Sequence, residues 1–574
     1  MSWLSLCFGM EHQRLTSVVI RRSDPIFDEG TLEIILNFLS DHADVFHFAS
    51  VCFAWRSVVL SSADLRSYMY SNYVFKRWIM RSVNGRKWGD LVKIFPNLTF
   101  HNIELTKSQS TELFNSHVTS LSFNNSDFNL PSICVPSLTS FTVRAAAPEF
   151  GSLNLPRFSR LEKHISKYFI NLKELKLYFC NVGNEGMKHI SNLHTLETLH
   201  ISGGSFSDRK GLNYLFESNL TMLKHLYLED IFVRDVPVNF EGIQHAKFHL
   251  DSLTLNAHLL TEDSVKYLVE NSPQLTALHL PCTKFTSSQF NELCSLESVK
   301  HLTLAYLEKD SFEYERMESM SLESLKFCSC KLYPQDFMQM ISGSSLLKKL
   351  HFQRTEILIH LFAICSKYLY DLKELVFDHY SSPFEDMPYT FFNLTRLVLP
   401  DLRGENNFEC IGNISSLEFL KIGGTFSFKE FKKIIRGNLI NLHTLKFYYD
   451  AGITDGHIEY LRKCNLPNMT KLDLKHQSKL TDISLTILSE LKFEKLSTLV
   501  VPACFSCKGI MLFLHQSKSI TELTIFRPLR PNYYPEPKHE LYEIEVTEIR
   551  KFSIRMNKKF RIIDHNWWRR TDKY

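Results

Sequence analysis

No run in the 574-residue chain approaches the ~18–20 consecutive apolar residues that a membrane-crossing helix needs. The apolar stretch from Trp3 to Met10 is short, has no basic residue ahead of it and offers no small-residue cleavage site, so it reads as the start of a soluble protein. Phosphate-cradling glycine motifs are missing: neither Gly-x-Gly-x-x-Gly nor Gly-x-x-x-x-Gly-Lys-Ser/Thr occurs. His-Glu-x-x-His and Gly-x-Ser-x-Gly are absent as well, and carboxylates and histidines are spread without a constellation. Those absences predict a chain with no catalytic activity of its own and no cofactor. Charge of one sign is also lacking, with 66 Lys and Arg against 62 Asp and Glu for a net +4. So even a balance argues against nucleic acid or a membrane surface as partner.

Cysteine is present but unpatterned. The 13 cysteines are an odd, scattered set, which favours reduced thiols in the cytoplasm or nucleus over a disulfide scaffold. Cys504-x-x-Cys507 has no second pair at zinc-binding spacing, so it reads as structural, and no metal site is expected.

What the chain has in quantity is one repeated phrase. Its clearest copy is Leu172-x-x-Leu175-x-Leu177-x-x-Cys180-x-Val182, followed by Gly186-Met187-x-x-Ile190. Apolar residues alternating at Leu175 and Leu177 mark a strand with one buried face; the Met187/Ile190 spacing marks a short helix. The same Φ-x-x-Φ-x-Φ pattern opens at Val118, Leu138, Leu172, Leu196, Leu223, Leu250, Leu275, Val299, Leu322, Leu347, Leu372, Leu394, Leu417, Leu442, Met469, Leu496 and Ile520. The mean period is ~25 residues. One such unit cannot bury its own leucines, so the copies must stack. The chain therefore resembles the leucine-rich-repeat proteins, and the Ile453-Thr454-Asp455-Gly456 and Leu480-Thr481-Asp482 endings resemble the cysteine-containing subclass that F-box proteins carry. The resemblance implies an α/β solenoid, a horseshoe with parallel strands inside and short helices outside. Helical phrases such as Val265-x-x-Leu268, Phe337-x-x-Met340-Ile341, Phe431-x-x-Ile434-Ile435 and Leu485-x-x-Leu488 fit that outer layer.

Upstream the texture is different. Leu32, Ile35, Leu36 and Leu39 fall on one helix face, with Ile34 and Phe38 as a second stripe beside it. Asp44 suits an N-cap for a helix whose apolar face is Val45, Phe48, Ala49 and Cys52, and a third segment holds Trp55, Val58 and Val59. Asp44-Val45-x-x-x-Ala49-x-Val51-Cys52-x-x-Trp55-Arg56 resembles the second half of the F-box motif, and Leu32-x-x-Ile35-Leu36-x-x-Leu39 resembles its first helix. The family's opening Leu-Pro-x-Glu has Phe27, Asp28 and Gly30 at its places. An ordinary three-helix cap is the plain alternative, though a cap needs only one apolar face. The resemblance to F-box/leucine-rich-repeat proteins, substrate receptors of SCF ubiquitin ligases, implies a small all-α three-helix module. It would dock a Skp-type adaptor, and through it a cullin, with Leu32, Ile35, Leu36, Leu39, Asp44, Val45, Val51, Cys52, Trp55 and Arg56.

The expected order is an unassigned segment at 1–23, the F-box-like module at 24–66, a helical connector at 67–97 and irregular first repeats with an insertion at 98–171. Regular repeats follow at 172–526, then a C-terminal cap and basic tail at 527–574. The basic and aromatic residues of 61–97 suit a packed helical connector, and Leu541-x-x-Ile544-x-Val546 with Ile549-x-x-Phe552-x-Ile554 suggests an irregular cap.

Because side chains alternate along a strand, the residue between the last two Φ positions points into the hollow. Lys176, His200, Tyr227, His279, Lys326, His351, Lys421 and Lys446 are the candidates there for holding a target protein. A mildly basic, His-rich face suits an acidic or phosphorylated segment; a mixed solvated surface is the plain alternative. His200 with His225, and His279 with His301, sit one repeat apart, yet without a carboxylate or cysteine to complete a ligand set. Six Asn-x-Ser/Thr sequons exist, at Asn97, Asn124, Asn219, Asn393, Asn413 and Asn468. A secreted receptor would use them, but Asn393 and Asn468 directly precede the buried-strand positions Leu394 and Met469, so they read as chance. The expectation is a substrate-recognition subunit in the cytoplasm or nucleus, or else an interaction scaffold that joins no ligase.

Overall fold

Alternation is what makes each copy a strand. In Glu174–Tyr178, Leu175 and Leu177 are fully buried while the residues on either side stay half-exposed, and most strands of the array repeat that rhythm. The computed structural model describes residues 73–76, 97–101, 103–126, 128, 130, 133–145, 161–180, 182–203, 205–206, 210–229, 232–233, 249–255, 271–280, 297–305, 321–357, 361–378, 393–400, 407–448, 451–491, 493–527 and 543–564. The 24–66 module, with every adaptor-docking residue named above, lies outside them, as does Val265-x-x-Leu268.

The chain divides into two units, the first ending at Leu250 and the second running on from Asp251. In the first, β1 (Tyr73–Lys76), β2 (Asn97–His101), β3 (Ser120–Asn124), β4 (Ser140–Arg144), β5 (Glu174–Tyr178) and β6 (Thr198–Ser202) pair in parallel in chain order. The short β7 (Ser205–Phe206) pairs with β9 (Phe232–Val233), and β8 (His225–Glu229) continues the main sheet beside β6.

The second unit repeats the scheme with β10 (Ser252–Leu255), β11 (Ala277–Leu280), β12 (His301–Ala305) and β13 (Ser324–Cys328), while β14 (Lys331–Leu332) pairs with β16 (Glu356–Ile357) off the main sheet. Next come β15 (Lys349–Gln353), β17 (Glu374–Asp378), β18 (Arg396–Leu399), β19 (Phe419–Ile422) and β20 (Thr444–Phe447). The ladder ends with β21 (Lys471–Asp473), β22 (Thr498–Pro502), β23 (Glu522–Arg527) and β24 (Lys559–Asp564).

Register stacks like on like. Leu325, Leu350, Leu375, Leu397, Leu420, Leu445, Leu472, Leu499 and Leu523 form one column, and Phe327, Phe352 and Phe377 form the next, their rings 5.5 and 4.9 Å apart and nearly parallel. Met187 and Ile190, Phe337, Met340 and Ile341, Phe431, Ile434 and Ile435, and Leu485 and Leu488 are all buried, so the described helical phrases close the other side of the core.

Leaving the strand requires a sharp turn, and several repeats make it with a left-handed residue: Asn125, Phe179, Ser329 and Arg354 have φ near +50°, where Gly203 and Gly424 stand in other copies. The next residue is the small buried position of the motif. Cys180 Sγ, Cys330 Sγ, Thr355 Oγ1 and Ser126 Oγ each donate to a strand carbonyl of the preceding repeat, at 3.7, 3.5, 3.2 and 3.2 Å. That role needs a compact side chain able to donate, and the cysteine thiol meets it as the serine and threonine hydroxyls do. Burial pushes the Cys180 thiol up to about 12.

Polar hooks join the repeats at both rims. Asp455 accepts from the Thr481 amide (2.9 Å), the Thr481 hydroxyl (2.7 Å) and the Ser484 hydroxyl, and Asp482 accepts from the Ser506 amide (2.9 Å) and hydroxyl. So the Thr-Asp endings are inter-repeat ties. At the strand-entry rim, Asn171, Asn393, Asn441 and Asn468 donate their side-chain amides to the carbonyls of Pro136, Tyr370, Ser415 and Ile440, at 2.9, 3.0, 3.0 and 3.0 Å. Asn393 and Asn468 are sequon asparagines whose amide nitrogen is thus engaged. Peptides carrying either one are expected to show no deamidation mark after peptide N-glycosidase treatment of the native chain; such a mark would mean that the hook is dispensable.

Three expectations change. Within the proposed helical connector, Tyr73–Lys76 is a strand, and the β-favouring run Tyr-Val-Phe explains it. The first repeats at 98–171 are in register, and Leu161–Tyr168 within the insertion is a helix. At the other end, Ile544 to Ile554 lie on the helix Glu543–Arg555, and one more strand, β24, pairs with β23.

Candidate partner-binding face

On the strand side the outward residues of successive repeats stand in columns set by the register. Lys176, His200 and Tyr227 are directly paired, as are Lys326 with His351 and Lys421 with Lys446; His279 lies in the same column, next to Thr303. All eight candidate residues are half-buried on strands at the position expected for them. The two histidine pairs do not form: His225 aligns with Thr198 and His301 with Ala277, two residues from their supposed mates. Among the described residues no group of three His, Cys, Asp or Glu could hold a metal, and no helix is long and apolar enough to cross a membrane.

In the first unit the face is aromatic and charge-balanced. The Arg144 guanidinium lies 4.3 Å above the Tyr178 ring, the Tyr178 hydroxyl is 3.3 Å from His200 Nδ1, and the His200 ring sits tilted between Tyr178 and Tyr227, with centroids 4.6 and 5.2 Å away. Glu229 Oε2 lies 3.3 Å from His200 Nε2, at an angle that leaves this buried nitrogen without a hydrogen bond. Lys176 pairs with Glu174 at 2.6 Å. Burial alone would raise the Glu174 carboxyl, but hydrogen bonds from Lys176 and Ser140 outweigh it and hold the group below the ordinary carboxylate range. Burial raises the Tyr178 phenol.

The second unit changes character along its length. Over β15–β17 the charges are paired: Lys349 Nζ is 2.8 Å from Glu374, and His351 Nε2 is 2.9 Å from Asp378 Oδ2. Asp378 also accepts from the Tyr448 hydroxyl at 3.2 Å. The His351 hydrogen bond, above all, lowers the Asp378 carboxyl. Continuing the register puts Pro400 and Gly423 between Asp378 and Tyr448, so the tyrosine reaches across two intervening strands. Lys421 Nζ sits 3.5 Å above that tyrosine ring. This crossing is invisible in the spacing, because its partners are three repeats apart.

Past β17 cations lie over rings, Arg396 alone of them, among the described residues, also standing 3.9 Å from a carboxylate, that of Glu374. Arg396 lies 3.9 Å above Phe419, with Lys446 5.3 Å from the same ring, and Lys475 is 5.4 Å from Phe526. Burial, then the Lys475 and Lys446 ammoniums, bring Lys421 down to about 8; burial also lowers Lys446. Asp473, expected to face outward, is buried and accepts from the Lys475 amide at 3.2 Å.

Strand, tight turn, helix and return, stacked in register on a leucine core, define a leucine-rich-repeat fold. No protein-family model matches the chain, and no curated protein matches it. Among solved structures it is similar to an internalin, InlF, of Listeria monocytogenes, at 17% identity over 58% of this chain and 75% of that one, with a TM-score of 0.29. It is also similar to TLR13 in the TLR13–ssRNA13 complex, at 15% identity over 81% of this chain and 74% of that one, with a TM-score of 0.35. Likeness at these scores is too slight to carry an argument about this chain.

Proposed function

We propose that the chain is a recognition subunit without catalytic activity, whose strand face holds a target protein. The observation that carries the reading is the in-register ladder of outward side chains, from Lys326 through His351 to Lys421 and Lys446. Adjacent strands at ~4.8 Å make the second unit's ladder on the order of 60 Å long, and a stable interface needs only ~800 Å² per partner. A protein domain therefore fits such a face better than a small molecule does.

The resemblance of residues 24–66 to the F-box supports a finer reading. In it, Leu32, Ile35, Leu36, Leu39 and the Asp44–Arg56 motif dock a Skp-type adaptor and its cullin, in the cytoplasm or nucleus. The chain is then the substrate receptor of an SCF-type ubiquitin ligase. It contributes proximity, holding target lysines near an enzyme that other subunits bring. Phe27, Asp28 and Gly30, at the places of the motif's opening residues, favour a second reading: a scaffold that joins no ligase.

Co-purification separates the two. Wild-type chain is expected to bring down Skp adaptor and cullin, and a Trp55→Ala/Leu36→Asp variant neither. Wild type that brings down neither sinks the ligase reading and leaves the scaffold.

A further inference from the structure

We propose that the outward side chains of β18–β21 receive an acidic segment of a partner protein, with Lys421, Lys446 and Lys475 taking Asp or Glu carboxylates beside the aromatic rings of Phe419, Tyr448 and Phe526. The inference rests on the strand face being the partner surface, and not on the adaptor.

The charge pattern points there. On β5, β15 and β17 cations are matched, as in Lys176 with Glu174, Lys349 with Glu374 and His351 with Asp378, and Lys326 on β13 stands alone among the described residues. Over β18–β21 they accumulate, Lys421 and Lys446 being register partners and Lys471 and Lys475 following one strand on. Among the described residues Lys421, Lys446, Lys471 and Lys475 form no ion pair with a carboxylate. Asp473, the acid within this stretch, is buried among them. Half-buried ammoniums that repel one another carry a standing cost, which an incoming anion removes. The lowered Lys421 and Lys446 are that cost expressed as proton affinity.

Geometry narrows the chemistry. The cations form a row across several strands, ~10 Å from β19 to β21, instead of converging on one point as a single phosphate would want. Alternate carboxylates on an extended chain are ~7 Å apart and can serve such a row. The rings line it with apolar surface that suits side chains between the acids. Nucleic acid fits worse, because the whole chain carries only +4.

The test is fluorescence anisotropy on the purified full chain with a labelled extended peptide of alternating Glu and Ala residues containing one Phe. The same peptide with Gln for Glu, and one with phosphoserine for a single Glu and Gln for the rest, are the comparisons. The Glu peptide is expected to bind, more weakly as salt rises. Lys421→Gln/Lys446→Gln should weaken it by about tenfold or more, the scale of one lost charge-assisted hydrogen bond. Lys421→Arg/Lys446→Arg should restore most of it, and Lys432→Gln, on the helix side of the same unit, should change nothing. Raising the pH of the wild type from about 7 to about 9 should also weaken binding, as Lys421 loses its charge. The groups facing Lys421 are Lys446, Lys475, Asp378, Asp473 and Tyr448, with His351 behind Asp378.

Equal binding of the Gln peptide, binding of the phosphoserine peptide alone, or an undiminished Lys421→Gln/Lys446→Gln variant overturns the inference. Unchanged melting of that variant, followed by circular dichroism, excludes misfolding as the cause of a loss. Failure of adaptor co-purification leaves every arm intact, so the two readings fail separately.

Discussion

Gly423→Ala is expected to destabilise the second unit by ~3 kcal/mol or more, at the upper end of overpacking costs, read as a lower urea midpoint. A Cβ at Gly423 would stand 1.9 Å from the Pro400 carbonyl oxygen and 2.7 Å from Tyr448 Cβ. The first neighbour is backbone of the paired strand and cannot rotate away, so β18 and β19 must separate. The amide of Gly423 also holds the Leu399 carbonyl at 2.8 Å, and the Tyr448 crossing passes over this spot. Separation of the strands therefore breaks the Tyr448–Asp378 bond as well. Gly456→Ala is the comparison: its nearest atom would be Thr454 Oγ1 at 3.7 Å, and it lies in the helix Asp455–Leu461. There alanine should be neutral or stabilise by up to ~1 kcal/mol. Equal midpoints for the two variants would show that the close approach at Gly423 is not real.

Phe352→Ala should cost ~3–5 kcal/mol, the usual loss for a buried aromatic. Phe352 is 1% exposed and is the middle ring of a column, with Phe327 and Phe377 on its faces and Phe337 at 5.8 Å. Removing it takes contacts from both neighbouring repeats at once, and neither neighbour can follow without leaving its own strand position. Because the apolar core of each repeat packs on that of its two neighbours, the damage should be local. Hydrogen exchange is expected to quicken first in β13, β15 and β17, with β21–β23 protected longer. Phe428→Ala, at 41% exposure on a helix, should lose far less. Uniform loss of protection along the unit would mean that it unfolds all at once instead of repeat by repeat.

The repeat was legible because its signal is a period, and a period accumulates over copies. The outlying strands were harder to see. Phe95-x-x-Leu98-x-Phe100 is the same phrase built from aromatics, and a search led by aliphatic openers passes over β2. Ile549-x-x-Phe552-x-Ile554 matches the phrase yet is helical, because i and i+3 share a helix face as readily as a strand entry. For the face, alternation along each strand correctly placed Lys176, His200 and Lys421. What it missed was phase: His225 opens its strand and His200 centres its own, so one repeat of separation did not make them neighbours. Asp378 and Tyr448 were hidden for the opposite reason, since their contact skips two strands.

The hooks at the rims give the array a direction. The Asp455 and Asp482 carboxylates accept from the following repeat, while the asparagine amide nitrogens donate to the preceding one. During synthesis the repeats of Asp455 and Asp482 therefore present a carboxylate that awaits donors not yet made. Each new repeat arrives with an amide already aimed at a carbonyl in place. Gene-level growth of such an array is constrained in the same way: a whole repeat can be copied without opening a tie, whereas a fractional insertion strands one at either rim.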